Sequence, residues 1–202
     1  MSKLDSGALK DIGALGDLEL MPIWPEAPRF CTTCDLPQYR YAPWIYPRPL
    51  REALGYSHGE FDVFEEIDPD RWHKSEAYLF GIDLYHQGYL WESREQWQNL
   101  YKLARHDSPE SNLLQALHLN SNAQLKAARG DASGTRTRSH SARWRLARIR
   151  AKGFSGPDRR FMGLDIADLI EQFQRHYSPV WELEGGERIP LEGDPPRLLP
   201  KR

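Results

Sequence analysis

Apolar residues recur at helical spacing through the middle of the chain and thin out toward both ends. Between Trp72 and Ala104, Tyr78, Leu79, Ile82, Tyr85 and His86 stand at mixed three- and four-residue steps. Leu90, Arg94, Trp97, Tyr101 and Ala104 then come at four, three, four and three. Each set makes one stripe on a helix. Gly88 lies between them, and glycine accepts the left-handed conformation that ends a helix. The pattern therefore predicts two helices folded back on each other. A third helix is predicted after Ser108-Pro109-Glu110, a cap, a first-turn proline and an acid at the positive helix end. It runs to about Arg129 and stops at Gly130. Its inner positions are Leu113, Leu114, Leu117, Ser121, Gln124 and Ala128, with a polar row of Gln115, His118 and Asn122 beside them. A basic helix over 135–152 keeps a narrow apolar face of Ala142, Leu146 and Ile149. A last helix is predicted from Ile166 to about Tyr177, capped by Asp165, with Ile166, Leu169, Ile170, Phe173 and Tyr177 facing inward.

The flanks obey other rules. Leu4, Leu9, Ile12, Leu15 and Leu18 form a weak amphipathic patch cut by Gly7, Gly13 and Gly16. Each glycine costs about 1 kcal/mol against alanine, so the patch fits a docking segment better than a free helix. Pro22, Pro25, Pro28, Pro37, Pro43, Pro47 and Pro49 impose an extended path. Tyr39, Tyr41, Trp44, Tyr46 and Tyr56 are too many rings for a solvated linker and predict an ordered arm laid along the helices. Glu60 to Asp70 is acidic and reads as a solvated loop. From Ser178 on, prolines predict an extended tail. The expected fold is all-α, a compact bundle of about five helices with a proline- and aromatic-rich N-terminal arm and an extended C-terminal tail. The expected divisions are a partly disordered extension (1–35), an irregular arm (36–71), a helical domain (72–177) and the tail (178–202).

Composition narrows the function classes. The chain has 202 residues, 40% hydrophobic and 28% charged, with a formal charge of −2. No overall basic field draws it to nucleic acid or membrane. No apolar run reaches the roughly 18 residues of a spanning helix. The first residues lack a basic region leading into an apolar stretch and a cleavage site, so a soluble cytoplasmic protein is expected. Two cysteines make no disulfide framework.

Candidate chemistry concentrates in the second helix. Arg94 puts a charge in an apolar stripe, and Glu92 and Glu95 flank it on one side, three residues apart. Glu92, Arg94 and Glu95 are the candidate catalytic residues. Cys31-Thr32-Thr33-Cys34 has three readings: two free thiols, half a zinc site, or a redox pair. Pro37 and the lack of a second pair favour the first. Arg136, Arg138, Arg143, Arg145, Arg148, Arg150 and Lys152 carry no acid among them, but they spread around the helix, which disfavours tracking a nucleic-acid backbone.

The run Phe80-Gly81-Ile82-Asp83-Leu84, then Gly88-Tyr89 and Trp91-Glu92-Ser93-Arg94-Glu95-Gln96-Trp97, resembles the domain-of-unknown-function 309 family, whose signature is similar to G-I-D-L-F-N-x-G-Y-Y-W-E-A-H-E-x-W-E. Leu113-Leu114-Gln115-Ala116-Leu117 resembles its F-L-Q-G-L segment. Pro37 to Tyr41, Pro47-Arg48-Pro49 and Gly55-Tyr56-Ser57 are similar to arm pieces of its longer members. The resemblance spans roughly residues 36 to 175. It implies a compact helical fold and brings no established activity. In the family pattern histidines stand where this chain has Arg48, Tyr56 and Arg94. Those histidines with the acids at Glu92 and Glu95 look like a metal or acid/base site. Arginine cannot ligate a cation, so no metal and no cofactor is expected here.

These residues support two functions from different classes. The first is a non-catalytic or degenerate helical domain that acts by binding a partner protein; a homodimer is compatible, and neither membrane nor nucleic acid is expected. The second is an enzyme or small-anion binder in which Arg48, Tyr56 and Arg94 hold a carboxylate or phosphate beside Glu92 and Glu95. A surviving metal site would need other ligands, among Glu92, Glu95, His86, His118, Cys31 and Cys34.

Overall fold

A computed structural model describes residues 22–42, 65–153, 160–183, 191 and 194–201. The fold is all-α. A short 3-10 helix, Pro69–Lys74, leads into α1 (Glu76–His86), α2 (Leu90–Leu103), α3 (Pro109–Ala128), α4 (Ala132–Ala151) and α5 (Ile166–Trp181). A two-residue antiparallel pair, β1 (Arg160–Phe161) with β2 (Leu164–Asp165), precedes α5. Each α-helix from α1 to α4 packs on the next in sequence, and α5 packs on α4.

The ends are set locally. Ser75, Ser108, Asp131 and Asp165 each accept a backbone N–H of the first helical turn, of Tyr78, Ser111, Gly134 and Asp168 respectively. Gly88 turns the chain between α1 and α2 at φ 79°, as its position in the pattern predicts. Only Arg129, Gly130 and Asp131 separate α3 from α4. α5 runs past Tyr177 and through Pro179 to Trp181. A proline so close to a helix end forfeits one hydrogen bond, and the two residues after it are anchored. Val180 is fully buried, and the Trp181 indole donates to Ser139 Oγ at 2.8 Å.

The core holds Trp97, Tyr78, Tyr85, Tyr177 and Phe173, all fully buried. Trp97 is admitted by Gly81, where a Cβ would lie 2.5 Å from the indole nitrogen. The buried line of α2 is Leu90, Ser93, Trp97, Leu100 and Ala104, so the register is one residue off the expected one at Ser93 and again at Leu100. Ser93 and Ser121 share a hydrogen bond of 2.9 Å across the α2–α3 contact, and Arg94 and Tyr101 are left half-buried beside it. Ala128, expected inside, is exposed. On α4 the apolar face of Ala142, Leu146 and Ile149 extends through Thr135 and Ser139, whose hydroxyls donate to the carbonyls of Asp131 and Thr135 at 2.7 Å. Small residues with internally satisfied hydroxyls let α4 lie close to its neighbours.

Both flanks dock on the bundle. Tyr39 and Tyr41 are buried, as the ring-rich arm predicts, and Cys31 is buried with them. Leu198 of the tail is fully buried as well. Ile67, within the acidic stretch read as a solvated loop, also joins the core. Leu4 to Leu18, Trp44, Tyr46, Tyr56 and Glu60 lie outside the described residues. No helix among the described residues is long and apolar enough to cross a membrane.

Candidate functional site

The acids of the α1–α2 hairpin are turned toward the arm. Asp83 is buried and accepts three bonds: from Phe30 N at 2.8 Å, Cys31 N at 2.9 Å and Arg29 Nε at 3.0 Å. Arg29 in turn donates to the carbonyls of Cys31 and Cys34. One carboxylate thus fixes the entry of the cysteine loop through backbone N–H groups that would otherwise be buried unpaired. Glu92, also buried, does the same farther along: its Oε1 accepts from Tyr41 N at 2.8 Å. Around it Tyr41 meets Trp91 edge to face, and Tyr89 Oη donates to the Pro37 carbonyl.

Arg94 points another way. It forms an ion pair with Glu95, and its guanidinium lies 5.8 Å from the Trp91 ring centre. Its Nε is buried without a hydrogen bond among the described residues. The three candidate catalytic residues therefore split: Glu92 holds backbone, while Arg94 and Glu95 hold each other. Arg48 and Tyr56, the other two ligand-binding candidates, and His58 lie outside the described residues.

The alternative ligands do not assemble. Among the described residues no group of three or more His, Cys, Asp or Glu side chains is placed to hold a metal. His86 is fully buried, and its Nε2 accepts from the backbone N–H of Leu198 at 3.1 Å, which requires the neutral ring with its proton on Nδ1. Burial first, and then the charge of Arg197, push the His86 imidazole down to about 4. His86 also carries the arm, since its carbonyl accepts from Ile23 N and Trp24 N at 2.8 and 2.9 Å. Cys31 and Cys34 are free thiols in hydrogen-bond contact. Burial and that hydrogen bond push the Cys34 thiol up to about 12, so it stays protonated at neutral pH, the opposite of an activated thiol.

A second feature escapes sequence reading. A groove of about 660 Å³ lies along α3 and α4 near Tyr101 of α2. Its lining includes His118, His140, Arg143, Trp144 and Arg145, and no acid. Trp144 is 52% exposed. The guanidinium groups of Arg145 and Arg148 lie 5.0 and 4.7 Å from the centre of its ring. His118 Nδ1 is 3.2 Å from the Arg94 carbonyl, and Tyr101 stands edge to face against its ring. The polar row of Gln115 and His118 thus borders an open space, and the basic stretch of α4 forms the opposite wall. The signal for the groove was there as Trp144, a large apolar residue among arginines and off the apolar face.

The chain matches no family model, no curated protein and no solved structure.

Proposed function

We propose that this chain is a divergent relative of the domain-of-unknown-function 309 family that works as a non-catalytic, cytoplasmic binding domain. What carries the reading is the use made of the signature acids. Asp83 and Glu92 accept backbone N–H groups of the arm, and a carboxylate so engaged is a fastener rather than an acid, a base or a ligand. Free thiols at Cys31 and Cys34 fit a reducing compartment. Binding of a protein partner then falls to the surfaces outside this packed centre. The test joins elemental analysis of untagged protein, purified without chelator, to hydrogen exchange of the arm in Glu92→Gln. The reading expects no stoichiometric metal and faster exchange at Tyr41. A metal present in the wild type and lost from the variant would overturn it.

A second reading, a small-anion site, is favoured by one observation: the half-buried Arg94 keeps a buried Nε without a hydrogen bond. It expects Arg94→Gln to abolish binding of inorganic phosphate in a calorimetric titration.

A further inference from the structure

We propose that the groove between α3 and α4 binds a free nucleoside monophosphate, independently of the reading above. Three features on its walls match three parts of that ligand. Trp144 offers a half-exposed indole on which a base can stack, in the manner of the Arg145 and Arg148 guanidiniums that now lie over its ring. Arg143 has no acid partner among the described residues, and Arg145 is held by donating Nη1 to Asn112 Oδ1 at 3.1 Å, again with no acid. The two stand on either side of Trp144, Arg143 with its guanidinium 5.5 Å from the Trp181 ring centre. Arg145, unneutralised beside the indole, suits a phosphate, which takes paired N–H donors. His118 supplies the third match. A carbonyl only accepts, so the ring donates from Nδ1 to Arg94, leaving Nε2 a bare acceptor without a partner among the described residues. An exocyclic amine or a ribose hydroxyl can fill it. The volume of about 660 Å³ falls within the range of roughly 300–1,000 Å³ that small-molecule sites occupy.

A free nucleotide fits better than a polymer because cations of the basic helix beside the groove are held by the protein itself. Arg148 is spent on Asp107, and Arg136 donates to the Val180 carbonyl. A strand leaving the groove would meet Arg136 and Arg148 already engaged, with Arg138 and Arg150 the exposed cations left to it on this helix.

Isothermal titration of the full chain with adenosine monophosphate, adenosine and inorganic phosphate tests the proposal. The monophosphate is expected to bind, with adenosine and phosphate each at least about tenfold weaker, since each supplies one part of the match. Trp144→Ala and Arg145→Gln should each weaken the monophosphate about tenfold while the thermal midpoint stays at the wild-type value. Arg145→Gln also serves if the tryptophan variant melts early. Absence of monophosphate binding, equal binding of adenosine, or variants that bind as the wild type would overturn the proposal. So would a short oligoadenylate that binds far more tightly than the mononucleotide, because the occupant would then be a strand.

Discussion

The two long faces of this bundle treat their polar groups in opposite ways. On the face made by α1 and the start of α2, the chain puts its acceptors to use. Asp83, Glu92 and the His86 ring and carbonyl all accept backbone N–H groups from the arm or the tail. On the face made by α3 and α4, Trp144 stays half-exposed, Arg143 has no acid among the described residues, and His118 keeps an acceptor unused. The first face is therefore a structural seam despite its acid-rich signature. The second, with no motif to announce it, is where a ligand has something left to bind. A buried polar group costs folding energy unless it is paired, a cost that His86 Nδ1 and Arg94 Nε carry among the described residues and that groups open to the groove avoid.

Substitution at Asp83 should break this contrast most severely. Asp83→Ala strands Phe30 N and Cys31 N and releases the one-third-exposed Arg29, and each donor left unpaired costs roughly 1–3 kcal/mol. Urea denaturation should show that loss, and limited proteolysis should cut the arm near Cys31. A midpoint unchanged from wild type would mean the seam is not fastened there.

Acid is the next lever. The folded His86 imidazole sits near 4 against an ordinary 6.5. Between those values the unfolded chain binds a proton that the folded chain refuses. Stability from this ring is thus complete above the higher value and falls as pH drops toward the lower, by about 3 kcal/mol at full extent. Burial also lowers His118 and His140, which add in the same direction. The difference between wild type and His86→Gln isolates the His86 share, since glutamine keeps an acceptor for Leu198 but does not titrate. Identical slopes in the two proteins would remove His86 from the account.

Gly81→Ala probes the core beneath the seam. Its Cβ would press on Trp97 at 2.5 Å, and overpacking of that kind costs roughly 1–3 kcal/mol. The drop in thermal midpoint should come with a change in tryptophan fluorescence. On the opposite face the smallest effect is expected: Trp144→Ala should shift stability by no more than about 0.5 kcal/mol. A large loss there would turn the groove wall into a second seam.

Much of this was legible from spacing alone. The inward set of α5, the turns at Gly88 and Gly130 and the cap at Ser108 arise from period and local chemistry, and the structure has them. The register of α2 was misread because serine reads as polar, so Arg94 seemed to complete the stripe that Ser93 completes. Ser93 is buried because its hydroxyl finds Ser121 and the Leu90 carbonyl, partners that exist only once the helices pack. Asp83 was hidden for a similar reason: its partners lie more than 50 residues away. The groove needs α4 turned so that Trp144 faces His118 of α3, a relation between two helices that neither stripe contains.

The tail's hold on His86 has a consequence for synthesis. Leu198 reaches that ring from 112 residues downstream. At about 5–20 residues per second, a ribosome adds Leu198 roughly 6–22 seconds after His86 itself. During that interval the arm can already hang its Ile23 and Trp24 amides on the His86 carbonyl, while the imidazole and the Trp24 ring beside it wait uncovered. The nascent bundle is then a lidless box at that one spot until the Leu198 segment arrives and shuts it.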